Sequence, residues 1–208
     1  VKLKQQKVIY VILGIGFLVF FTLWILTEKE NDTYENYLSD ELVDKIAHIS
    51  SYSNYNLGIL EEVLKSGKIT SSQAGELEQG FYHIAFDTQD ISYMGNSIGR
   101  LQNYNEDIVL SVNKDYRHFF DELDFEYDEI KLTDEQITSL EKMEKLMKKY
   151  SMVVNETLKF TTKEESKEQP GQPQDFFDYY QKKGITDDYW IDLLKGYEKV
   201  TDESFSLY

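Results

Sequence analysis

His83 and Asp87 are the pair in this chain whose types and spacing come closest to a metal site. On a helix, a four-residue step puts both side chains on one face. Zinc accepts an imidazole and a carboxylate, but a site needs three or four ligands. The other histidines, His48 and His118, lie far off along the chain and could join only through tertiary folding. The expectation from sequence is therefore three separate histidines, solvated or satisfied locally. No metal ligand and no cofactor is assigned.

The acids Asp124, Glu126, Asp128 and Glu135 fall at the first, third, fifth and twelfth positions of an EF-hand loop. The sixth position of such a loop requires glycine for its turn, and here it is Glu129. A solvated acidic loop is the expected reading. The chain has no cysteine, no G-x-S-x-G, no H-E-x-x-H and no phosphate-cradling glycine loop. With no set of groups that passes for an active site, the chain is expected not to be an enzyme.

The strongest functional candidate is the aromatic tail. Phe176, Phe177, Tyr179, Tyr180, Tyr189, Trp190, Leu193, Leu194 and Tyr197 crowd into its first two dozen residues. Tyrosine and tryptophan are enriched where proteins dock partners, so these nine are candidate partner-binding residues. Against this, nine large apolar groups are costly to leave in water. That cost favours a tail that folds back and completes the bundle as its fourth element.

One segment predicts where these groups sit. Residues Val8 to Leu26 are uncharged and mostly apolar, and as a helix they cover roughly 28 Å, about a bilayer's hydrocarbon thickness. Three lysines precede the run, and Glu28, Lys29, Glu30 and Asp32 follow it. The pattern predicts an uncleaved transmembrane anchor at 8–26, with residues 1–7 cytoplasmic and 27–208 outside the cell membrane. A cleaved signal peptide fits less well, because no small-x-small site follows the run. The expected protein is thus single-pass, with the membrane as one partner and another membrane or cell-surface protein as a second. Self-association stays open.

All 38 acidic residues and all but three of the 22 basic ones lie beyond the run, leaving that part at −19. Such a surface repels nucleic-acid phosphates, so no nucleic-acid partner is expected. Without cysteine, stability must come from a packed core rather than disulfides. Arginine occurs only at Arg100 and Arg117, against 20 lysines. That bias suggests an AT-rich genome, such as that of a low-GC Gram-positive bacterium.

The fold class predicted for the remainder is all-α: an elongated antiparallel bundle of three long helices over 27–160. A flexible linker at 161–174 and a helical appendage at 175–208 complete it. Apolar residues recur at steps of three and four, not two, and the only prolines are Pro170 and Pro173. The first helix of the bundle is expected to begin near Ser39 or Asp40 and stop at Ser66-Gly67. Its middle, Ser50 to Asn56, is polar and marks either a weak seam or a place where polar groups pair. Thr70 to Gln73 and Thr133 to Gln136 have capping-box spacing and should start the second and third helices. Asn103 to Asp107 threatens to interrupt the second, and Thr186 should cap the last.

Two functions follow. The first is a membrane-anchored, non-catalytic adaptor that docks a partner through the bundle or tail. The second is a sensor or accessory subunit that binds a small molecule or cation between helices. In the second case the site is expected around Ser53, Asn54 and Asn56, facing Thr88 or Gly95.

Overall fold

The computed structural model describes residues 2–161 and 169–205, and their side chains except those of 2–9, 11, 12 and 106. The described residues form six helices and one short antiparallel ribbon. The helices are α1 (Lys2–Ser66), α2 (Ser71–Ser97), α3 (Glu106–Asp121), α4 (Asp134–Thr157), α5 (Gln174–Tyr180) and α6 (Tyr189–Phe205). The ribbon pairs β1 (Lys68–Thr70) with β2 (Glu129–Lys131).

The first helix differs from expectation. It does not begin near Ser39 but runs unbroken for 65 residues, about 98 Å. Proline is absent from its whole length, and nothing else in it stops the ladder of hydrogen bonds. Leu42, Val43, Ile46 and Ile49 begin its buried stripe. Before residue 38 the large apolar side chains described are exposed, among them Phe17, Phe20 and Trp24.

Among the described residues, no helix is long and apolar enough to cross a membrane. This corrects the transmembrane anchor expected at Val8–Leu26, and with it the single-pass location, the inside–outside orientation and the membrane as partner. The side chains of Val8, Ile9, Val11 and Ile12 lie outside the described residues.

α1 ends where the glycine requires. Gly67 adopts φ +68°, which closes the helix and turns the chain into β1. The ribbon was not legible in the periodicity. It sets Ile69 opposite Ile130, and Lys68 Nζ lies 2.6 Å from Glu129 Oε1. Glu129, the position that an EF-hand would need as glycine, is thus a strand residue. Thr70 and Thr133 each cap a helix with the reciprocal glutamine contact, at Gln73 and Gln136.

The expected second helix is two helices. The chain breaks after Ser97, with Gly99 at φ +72° and Asn103 at φ 55°. α3 then returns along α2, so that Phe120 stacks on Phe81 and Arg117 pairs with Glu78. α2 is likewise antiparallel to α1: Tyr55 donates to Glu76 near one end, and Lys45 reaches Asp90 near the other.

The carboxy-terminal part is not an appendage, because α6 touches every long helix. Tyr197 hydrogen-bonds Ser53 of α1 (2.7 Å) and stacks on Tyr150 of α4, with centroids 4.1 Å apart. Trp190 lies against Gly95 of α2, and Phe205 approaches Tyr116 of α3. Arg100 holds the approach to α6 by donating to the carbonyl of Ile185 and pairing with Asp188. Thr186 is not the cap of α6, which starts three residues later; its hydroxyl faces Glu35. Gly184, at φ +68°, closes the turn after α5.

Candidate metal centre between the first two helices

The stripes that face each other across α1 and α2 carry more than apolar groups. Lys45, His48 and Tyr52 step along one flank of α1 by three and four residues. His83, Asp87 and Asp90 step along α2 by four and three. Such steps hold side chains on one helix face. Because the helices are antiparallel and closely packed, the two stripes meet.

Asp87 is the centre of the meeting. Its Oδ2 lies 3.1 Å from Nδ1 of His48 and 2.9 Å from Nδ1 of His83. The two imidazole centroids are 4.8 Å apart, and His83 also stacks on Tyr52 at 4.7 Å. Lys45 Nζ lies 3.5 Å from Asp87 Oδ1, 2.9 Å from Asp90 Oδ2 and 3.2 Å from Glu41 Oε1. Asp87 is buried, His83 is mostly covered, and His48 is half-exposed.

Burial pushes the Asp87 carboxyl up. Hydrogen bonds from His48 and His83, with the charges of His48 and Lys45, outweigh it and hold the carboxyl well below its usual range. The hydrogen bond to Asp87 raises His48 above its ordinary 6.5, against burial. Burial lowers Lys45, but Asp90, Asp87 and Glu41 raise it further. The site is therefore a carboxylate fixed in its charged form beneath two imidazoles.

The chain matches no protein-family model, no curated protein and no solved structure.

The two imidazoles and the carboxylate can each offer a ligand atom, and these atoms all lie within 4.8 Å of one another. The structure thus corrects the expectation of three separate histidines: His48 and His83 converge, whereas His118 stands apart, exposed and paired with Glu122. Sequence supplied the His83–Asp87 pair but missed His48 and Lys45. The available signal was that His48 adjoins buried Ala47 and Ile49, which puts it at the rim of a helix–helix seam.

A cleft of about 350 Å³ opens beside His48, lined by Asp44, Ser51 and Tyr52 of α1 and by Pro170, Gln172 and Phe177. Gln172 is anchored there by donating to Ser50 Oγ (2.8 Å). The middle of the expected linker, residues 162–168, lies outside the described residues.

The polar stretch of α1 is distributed among several neighbours. Ser53 faces Tyr197, Asn56 abuts Gly80, and Gly95 faces Trp190 rather than α1. Asn56 is wholly buried, and neither of its side-chain polar atoms has a hydrogen-bond partner among the described residues.

Of the nine tail residues considered for partner binding, Phe176, Tyr180, Trp190, Leu193, Leu194 and Tyr197 are buried in the core. Phe177, Tyr179 and Tyr189 are half-buried against it.

Proposed function

We propose that this chain is a non-catalytic helical module that binds a cation between α1 and α2, in a sensing or accessory role for another protein. The observation behind this reading is the convergence of His48, His83 and Asp87, from two helices, on one small volume. A ligand held by both helices favours one arrangement of them over any other. Such coupling is how a binding site can report its occupancy.

The test is a thermal-melting series on the full chain with calcium, magnesium, manganese, cobalt and zinc chlorides, each repeated with excess chelator. A ligand that binds only the native state raises its melting temperature as concentration rises. At least one cation should do so, reversibly. A melting temperature that no cation moves would overturn the reading.

A second reading, an adaptor that docks a protein partner, is favoured by the exposed apolar side chains of α1 before the bundle. Phe17 and Phe20 are 70% and 77% exposed, and contiguous apolar exposure of this kind marks interaction sites. Crosslinking in cells, with wild type compared against a Phe17→Ser, Phe20→Ser, Trp24→Ser variant, tests it. A partner captured by both proteins, or by neither, would count against the arm as the docking element.

A further inference from the structure

We propose that the cation site is a three-ligand centre for a zinc-class transition-metal ion, held by His48 Nδ1, His83 Nδ1 and Asp87, with its remaining position facing solvent and the cleft beside His48. This deepens the cation-binding reading and rests on it.

Donor chemistry selects the class of ion. Calcium and magnesium take oxygen ligands almost exclusively. Two imidazole nitrogens and one carboxylate suit zinc, cobalt or nickel. Geometry agrees. A tetrahedral ion about 2.0–2.1 Å from each donor sets neighbouring donors roughly 3.3 Å apart. The two Nδ1–Oδ2 separations are already 3.1 and 2.9 Å. The ion would sit off both N–O lines and replace the two Nδ1 hydrogens as the link between the imidazoles and the carboxylate.

Proton balance is simple. Each imidazole coordinates in its neutral form through the Nδ1 lone pair, with its proton on Nε2. A neutral ring changes tautomer only, and a protonated one releases one proton to solvent.

Three ligands leave at least one position unfilled by protein. Asp87 and His83 are backed by the helices, whereas His48 is half-exposed and borders the cleft. The open position therefore faces that side, where water or a small anion completes the sphere. Lys45 does not block the ion. Its ammonium retains Asp90 at 2.9 Å and Glu41 at 3.2 Å when Asp87 turns to the metal.

The experiment is a cobalt(II) titration of the full chain, read by visible ligand-field absorption and followed by displacement with zinc. Wild type should bind one equivalent and give the intense bands of a four-coordinate ion with nitrogen donors. His48→Gln, His83→Gln and Asp87→Asn should each weaken binding at least tenfold, and His118→Gln should leave it unchanged. Circular dichroism confirms that each variant is folded. His48→Gln, at a half-exposed position, keeps the test valid should Asp87→Asn unfold.

Cobalt binding that survives His48→Gln and His83→Gln would overturn the proposal. So would six-coordinate, weakly absorbing cobalt. If calcium or magnesium raises the melting temperature while cobalt and zinc do not, the cation-binding reading stands and the zinc-class centre falls. If no cation does, both fall.

Discussion

Asp87 Oδ2 lies 3.1 Å from Nδ1 of His48, across the interface between α1 and α2. The same oxygen accepts from His83 at 2.9 Å, one helical turn back on its own helix. A single buried carboxylate therefore ties a local pair to a residue from another element, and Lys45 adds a fourth group on the other oxygen.

Replacing that carboxylate should cost stability without any metal. Asp87→Asn keeps the shape but loses the charge that both imidazoles and Lys45 address. Breaking a buried, charge-assisted cluster leaves donors facing a poorer acceptor, for about 1–3 kcal/mol. Urea denaturation in chelator should show the unfolding free energy fall by that amount, with a lower midpoint and an unchanged slope. No change would mean that solvent already screens the cluster.

Lys45 should act as a brake on metal affinity. Its ammonium neutralises part of the field that a divalent ion would feel, at a range where the interaction is worth about 1 kcal/mol after screening. Lys45→Met should tighten cobalt binding by about threefold to tenfold, measured by competition with a chelator of known strength. Weaker binding in this variant would show that Lys45 supports the site rather than competing with its ligand.

The packing of α6 can be probed from α2. A Cβ at Gly95 would meet Trp190 and Leu101 at 2.8 Å, and Trp190 is fully buried. Gly95→Ala should therefore destabilise by about 1–3 kcal/mol, as overpacking does, despite the helix propensity gained. A chain ending at Thr161 should show no cooperative melting, since it lacks Trp190, Leu193, Leu194 and Tyr197, all fully buried in the core. Cooperative melting of that truncated chain would show the tail to be an accessory after all.

Alkaline pH should unfold the protein through its buried tyrosines. Burial, partly offset by hydrogen bonds with Thr201 and Asn113, pushes the Tyr150 hydroxyl from 10.0 up to about 12. Burial also raises Tyr197, which stacks on it, and Tyr116, which senses its charge. Between pH 10 and about 12 the unfolded chain sheds protons that the native state retains. Stability is therefore full below pH 10 and falls as pH rises through that window, by about 3 kcal/mol for a shift of two units. Tyrosinate absorbance should rise together with loss of helical dichroism. Tyrosines that ionise while the helices persist would contradict their burial.

Local features could be read directly. Gly67, the two capping boxes and the apolar stripe of α4 each depend on residues within a turn or two of one another, so spacing specified them. The break between α2 and α3 was only half legible: Asn103 to Asp107 signalled it, but the chain leaves the helix earlier, after Ser97. The ribbon escaped notice because three residues are too few to show a period of two, and β1 finds its partner far along the chain. The start of α1 was placed near Ser39, where its buried stripe begins, although the helix itself starts far earlier. Between Thr27 and Asp40 neither proline nor glycine interrupts the helix, and polar residues alone weaken it little.

By itself, then, the sequence determined the helical class, the caps at Thr70 and Thr133, the stop at Gly67, and one half of the candidate site, His83 with Asp87. Tertiary structure alone decided that His48 and Lys45 join them and that α6 packs into the core. The reason is one of range. Helix periodicity fixes which face a residue occupies, but only the packing register of two antiparallel helices decides which residue it meets. That register is set by close fits such as Asn56 on Gly80 and Trp190 on Gly95, and such fits are complementary only once both helices are in place.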